Sequence, residues 1–321
     1  RLNTVQITQC NGNWDDIDFR KQITSATFLK QCGAFLNSKR PNCRSKFMAT
    51  IENKDDFLKG SMLTVGDLVK AAFNPPVPHV NSDSMQSYSV FIDKLWENNC
   101  IGSLPLGRAI PVIDLSESME NGNSGMIETA IGLGIRISEK STFKNRVLGY
   151  SHVPHWINLD ECSGFCEKAT LIKNNAGGTS SNICNVIDLL LKTSLANKVR
   201  PSELENTTLV ILSDMQFTKY HKTSLATMIK DKFARFGIEH GEIPWIAPRI
   251  VLWSLSEGMP NGININEPRV SVITGWNPKN LGHIAGCGSG VERIFTPALS
   301  VQSFLSLPRY DITRHELLCC I

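Results

Sequence analysis

The chain has 321 residues, of which 41% are hydrophobic and 20% charged, and a formal net charge of +3. This is enough apolar mass for a full core in one large domain or two ordinary ones. The near-neutral balance excludes a strong field toward nucleic acid or membrane surfaces, and no run approaches the roughly eighteen apolar residues that a membrane helix needs.

Residues 1–107 read as an irregular, mainly helical segment. A helix is predicted from Asp16 to Leu36, where Phe19, Ile23, Ala26, Leu29 and Phe35 recur among charged residues. Val65 to Phe73 reads as a short helix with Thr64 as its N-cap, and Pro75, Pro76 and Pro78 break the chain after it. Another helix is predicted from Ser89 through Trp96 toward Leu106. From residue 108 the texture changes. Ala109 to Ile113 is an apolar strand ending in Asp114, and a nearly all-apolar helix runs from Met126 to Ile137. Arg146 to Ile157 is strand-like. Asn182 to Leu195 is helical, Thr208 to Leu212 is a strand ending in Ser213-Asp214, and Ser224 to Phe236 is helical. Arg249 to Leu255 and Val270 to Thr274 are strands, and a closing helix is predicted from Leu281 onward. Short apolar strands alternating with longer helices predict an α/β fold, with a doubly wound, mostly parallel sheet covered on both faces. The expected division is 1–107 for the helical segment and 108–321 for the α/β domain.

The ten cysteines are irregularly spaced, and several fall in predicted helices, Cys32 and Cys184 among them. A chain this large does not need disulfide staples, so thiols in an intracellular, cytoplasmic protein are expected. Because the chain starts at Arg1 rather than Met, it is expected to be part of a longer one.

In a doubly wound sheet, ligands bind at the carboxyl ends of the strands. After the first strand comes Asp114-Leu115-Ser116-Glu117-Ser118, and after the strand Thr208–Leu212 comes Asp214. Between them lies Ala176-Gly177-Gly178-Thr179-Ser180, a glycine-rich loop leading into a helix. The oxygens of Asp, Ser and Thr suit a hard divalent cation such as Mg²⁺ or Mn²⁺. Alternate positions 114, 116 and 118 turn the same way in an extended loop. Gly177 and Gly178 let the backbone come close and present the Thr179 hydroxyl.

This pattern resembles the von Willebrand factor A family, whose metal-ion-dependent adhesion site uses Asp-x-Ser-x-Ser, a later Thr and a later Asp. The resemblance implies Asp114, Ser116, Ser118, Thr179 and Asp214 as metal ligands, with Glu117 and Gly178 beside the incoming ligand. The runs Ser213-Asp214-Met215-Gln216-Phe217, Gly177-Gly178-Thr179 and Ile250-Val251-Leu252-Trp253 resemble more narrowly a family of unnamed function found in plants, fungi and large DNA viruses. Trp14 to Phe19, Lys54 to Leu58 and Leu63 to Ala71 resemble that family's middle region. The layout is distantly similar to the Ro autoantigen, which joins a helical RNA-binding ring to a von Willebrand A-like domain. Most of a helical ring is absent here, so the ring itself is not carried over. Glu117 also departs from the small residue that many adhesion-type members have.

The resemblance implies a protein-interaction module rather than an enzyme: the cation takes an Asp or Glu from a protein partner. The alternative is an RNA- or ribonucleoprotein-associated factor, for which the basic cluster Lys39, Arg40, Arg44 and Lys46 near Phe47 is the sequence candidate. No membrane association is expected, and a place in the virion follows only if the source is a large DNA virus. His152-x-x-His155 and Cys162-x-x-x-Cys166 match no zinc template and read as loop histidines and packed thiols. Trp245, Trp253 and Trp276 read as core.

Overall fold

The structure is a computed structural model and describes residues 4–19, 23–52, 63–75, 82–99, 104–120, 125–151, 153–177, 182–216, 224–241, 243–256, 267–276 and 280–286. Helices α1 (Val5–Cys10), α2 (Ser25–Phe35), α3 (Pro41–Glu52), α4 (Val65–Phe73) and α5 (Ser82–Asn98) come first. Strands and helices then alternate as β1 (Ala109–Asp114), α6 (Met126–Lys140), β2 (Arg146–Tyr150), β3 (His155–Asn158), α7 (Phe165–Asn174), α8 (Ile183–Ala196) and α9 (Pro201–Glu205). They continue as β4 (Thr208–Ser213), α10 (Leu225–Gly241), β5 (Arg249–Ser254), β6 (Val270–Thr274) and α11 (Leu281–Gly286).

The six strands form one sheet in the order β3-β2-β1-β4-β5-β6. Every pairing is parallel except the β2–β3 hairpin at one edge. β1, β4, β5 and β6 are buried on both faces, which is why they read as continuous apolar runs. Alternate residues feed two cores. Ile113, Leu212 and Trp253 face α6 and α7, whereas Val112, Ile211 and Leu252 face α8 and α10. The chain winds outward from β1 to β3 and then returns past β1 to β4. The switch in strand order therefore falls between β1 and β4, and in sheets of this kind ligands bind there, at the carboxyl ends.

The early helices share the α6-side core rather than building a separate one. Phe19, Phe28, Phe35, Phe47 and Phe91 cluster, with Phe19 edge-on to Phe35 at 5.1 Å and Phe28 stacked on Phe47 at 5.5 Å. α4 then crosses α6 where both helices carry glycine. A Cβ on Gly66 would lie 2.7 Å from Thr129 Oγ1, and one on Gly132 would lie 2.9 Å from Val65 Cβ. Thr64 and Asp67 close a reciprocal capping box at the start of α4. α5 is fastened at two points. Asp93 accepts the Cys166 N–H at 2.8 Å at the start of α7, and the buried Arg136 guanidinium lies 3.8 Å from the centre of the Trp96 ring. Trp96 in turn stacks on Phe165 at 4.0 Å.

Several expectations need correction. The stretch 16–36 is not one helix: a single 3-10 turn covers Trp14–Asp16, and α2 starts only after Thr24, whose hydroxyl accepts the Thr27 N–H. Arg146 to Ile157 is a hairpin, not one strand, with Gly149 paired to His155 across the turn. α5 begins at Ser82 rather than Ser89 and ends at Asn98. α1 and α3 had no counterpart in the sequence reading. Phe47 lies in the core, Arg40 sits over Trp14 at 3.4 Å, and Lys46 bonds the Asp15 carbonyl, so the basic cluster is partly engaged in packing. Trp276 is exposed rather than core. The described cysteines are free thiols, and burial pushes the Cys32 thiol up to about 12. Cys100, Cys287, Cys319 and Cys320 lie outside the described residues.

Candidate functional site

β1 delivers Asp114 to the carboxyl edge as the last residue of an otherwise apolar strand, and the chain then bends into the 3-10 turn Glu117–Met119. Asp114 is buried and accepts from three hydroxyls. Ser116 Oγ donates to its Oδ1 at 2.6 Å, while Ser213 Oγ and Tyr150 OH donate to its Oδ2 at 2.8 and 3.2 Å. Ser116 N–H adds a fourth bond to Oδ1 at 3.1 Å. Ser118 Oγ lies 3.0 Å from Ser116 Oγ, so the alternate residues of the loop do face one another. Glu117, between them, is exposed to solvent.

β4 runs beside β1 and delivers the second carboxylate. Asp214 is buried immediately after Ser213. Its Oδ1 accepts the Gln216 N–H at 3.0 Å, closing a tight side-chain turn. Met215 completes that turn with φ 61, and its N–H donates to Ser213 Oγ at 3.0 Å. Asp214 Oδ2 is buried with no hydrogen-bond partner among the described residues.

No ion pair among the described residues reaches either carboxylate. Burial raises the Asp114 carboxyl above the ordinary range. Its bonds from Ser116 and Ser213 pull it back down, and the charge of Asp214 pushes it up further. Burial, and then the Asp114 charge, hold the Tyr150 hydroxyl well above its usual value, so it stays a donor.

The glycine-rich loop is tied to the same place. Gly177 N–H donates to the Leu115 carbonyl at 3.1 Å, and its φ of 135 is one that only glycine adopts without strain. Lys173, near the end of α7, pairs with Glu120 beyond the 3-10 turn. Gly178 and Thr179 lie outside the described residues. The structure thus brings together Asp114, Ser116, Ser118 and Asp214 and fastens the stem of the Thr179 loop beside them. Tyr150 and Ser213, which steady Asp114, were not anticipated. Ser213 left one trace, a hydroxyl closing an apolar strand directly before Asp214; Tyr150 left none.

These residues fit a hard cation. The donors are all oxygen, both carboxylates are buried, and among the described residues no positive side chain pairs with them and one carboxylate oxygen has no hydrogen-bond partner. Among the described residues no group of three or more His, Cys, Asp or Glu side chains converges. His152 lies outside them, and Cys166 packs against the α6-side core, its Sγ 3.7 Å from the Ser89 carbonyl. No helix of the described residues is long and apolar enough to cross a membrane.

Among proteins of known sequence, the chain is 25% identical over 268 residues to "Uncharacterized protein L728" of Acanthamoeba polyphaga mimivirus. The match covers 79% of this chain and 44% of that protein, so the chain spans less than half the length of this relative. Among solved structures, the chain is similar to the Deinococcus radiodurans RO (RSR) protein, at 15% identity and a TM-score of 0.47, over 80% of this chain and 52% of that one. Residues 108–284, from just before β1 into α11, match the family described as "Domain of unknown function (DUF7788)", and the chain belongs to that family.

Proposed function

We propose that the chain is a metal-dependent protein-interaction module of the von Willebrand A kind and not an enzyme. Asp114, Ser116, Ser118 and Asp214, with Thr179 completing the set by resemblance, would hold Mg²⁺ or Mn²⁺. One observation carries the reading: among the described residues Asp214 Oδ2 is buried without a hydrogen-bond partner beside a second buried carboxylate, and no cationic side chain pairs with either. Such an arrangement is costly unless a cation joins it. Two carboxylates formally balance a bound Mg²⁺, and the neutral hydroxyls leave part of its octahedral shell open, where a carboxylate oxygen from a partner's Asp or Glu would replace water. Around it, the chain's own residues do the positioning. Tyr150 and Ser213 hold Asp114 in place, Gln216 N–H holds Asp214 Oδ1, and the Gly177–Leu115 bond holds the glycine-rich loop.

Thermal unfolding of the chain in chelator and in rising Mg²⁺ or Mn²⁺, beside Asp114→Ala and Asp214→Ala, tests this. A ligand that binds only the native state raises the melting temperature with its concentration. The parent is expected to rise, and both variants to stay flat. A flat parent removes the intrinsic site. RNA binding that is salt-sensitive and indifferent to Asp114→Ala would put the ribonucleoprotein reading in its place.

A further inference from the structure

The polar edge of the sheet continues past β4. The register sets Ser213 beside Ser254, and Ser254 beside Thr274. All three follow by two residues the apolar positions Ile211, Leu252 and Val272, so they share one face of the sheet and form a rung running from Asp114 to β6. Ser213 is committed to Asp114. Ser254 Oγ lies 3.1 Å from Ser256 Oγ, just past the end of β5. Thr274 is only 8% exposed, and its Oγ1 is buried with no partner among the described residues. A native structure seldom leaves such a hydroxyl unused.

Two residues further on, Trp276 is 41% exposed, yet its indole N–H donates to the Leu255 carbonyl at 2.6 Å. The side chain of β6 therefore reaches back to the end of β5, toward the carboxylates, with its orientation fixed. Trp253 makes the contrast: it is fully buried, and its indole bonds the Gly275 carbonyl at 2.7 Å. An aromatic ring already held in place but left in water has little ordering entropy still to lose when a partner covers it. Tryptophans of this kind are the commonest anchors of protein interfaces.

We propose that Ser256, Thr274 and Trp276 form a second contact position on the same ligand face, and that Trp276 takes an apolar or aromatic side chain of the segment whose acidic residue meets the cation. The proposal rests on the cation-dependent reading above. Neighbouring strands lie about 4.8 Å apart, so roughly 10 Å separates the β1–β4 switch from the ends of β5 and β6. An extended peptide advances about 3.3 Å per residue and alternates its side chains, which places the apolar side chain about two or four positions from the acid, on the same face. The peptide groups between them would meet the Ser256 and Thr274 hydroxyls. No Lys or Arg occurs in 213–216, 254–256 or 274–276. This stretch of edge therefore offers no cation to a phosphate backbone, and an acidic peptide is the occupant it suits.

Selection of a random seven-residue peptide library on the full chain in Mg²⁺ tests the proposal. The parent is expected to enrich peptides with an Asp or Glu and an apolar or aromatic residue about two or four positions away. Trp276→Ala should keep the acid and lose the second preference, weakening the best peptide about tenfold, while its cation-induced melting shift stays that of the parent. Trp276→Phe should restore the preference. Thr274→Val should weaken the peptide without lowering the melting temperature, because the hydroxyl it removes has no partner among the described residues. An acid enriched without a spaced apolar residue, or a preference that Trp276→Ala leaves intact, overturns this inference alone. Failure to enrich any acid, or enrichment that survives chelator, overturns it together with the cation-dependent reading.

Discussion

A buried carboxylate oxygen without a partner is a liability at the scale of one residue, and among the described residues Asp214 Oδ2 is such an atom. Replacing it with a neutral amide removes the repulsion that Asp214 exerts on Asp114 but also removes the reason for a cation to stay. Asp214→Asn is therefore expected to melt at or above the parent in chelator and below it in saturating Mg²⁺. A cation at a hundred times its dissociation constant adds about 2.7 kcal/mol to the parent and nothing to the variant. Melting curves in the two buffers check both halves, and a variant that gains as much from Mg²⁺ as the parent contradicts the assignment. The carboxylates themselves were legible in the sequence because each ends a strand of apolar residues. Their supports were less so: Tyr150 reaches Asp114 from a neighbouring strand, and no local spacing encodes which tyrosine a parallel sheet will set there. Trp276 was misjudged for a related reason. A tryptophan next to a strand looks the same in sequence whether its ring enters the core, as Trp253 does, or folds back over the edge.

At the scale of elements, legibility followed pattern strength. β1, β4, β5 and β6 announced themselves because strands buried on both faces are apolar throughout. Thr64, read as an N-cap, marked the start of α4 correctly, and the helix read from Asn182 begins one residue later, with Asn182 as its cap. α3 escaped because its buried positions Cys43, Phe47 and Ile51 sit among lysines and arginines that read as surface. The β2–β3 hairpin escaped because its two short strands, Arg146–Tyr150 and His155–Asn158, lie so close in sequence that they read as one strand-like stretch. The α4–α6 crossing is a close approach that only glycine permits. A methyl at Gly66 meets Thr129 Oγ1 at 2.7 Å, and that hydroxyl donates to the Gly125 carbonyl at the start of α6. Gly66→Ala is expected to cost about 1–3 kcal/mol, as overpacked cores do. It should be read as a lower denaturant midpoint with an unchanged slope; a midpoint equal to the parent's would show that the two helices part without cost.

Across the whole molecule, the helical segment and the sheet share the α6-side core. The aromatic cluster around Phe47 connects through α4 and α6 to Ile113 and Trp253 in the sheet. One unfolding transition is expected, and Phe47→Ala, which empties a fully buried position in the shared core, should lower all of it by about 3–5 kcal/mol. Two transitions in calorimetry, with only the first moved by Phe47→Ala, would instead separate the segments energetically. A cation at the switch in strand order would join this body at one more point, linking the loops after β1, α7 and β4. The most direct test is a Mn²⁺ titration of the chain followed by the electron paramagnetic resonance signal of the free ion. Loss of signal equivalent to one ion per chain, absent in Asp214→Asn and reversed by Mg²⁺, is the expected result. A signal undiminished by the parent chain, or diminished equally by parent and variant, would contradict the metal site.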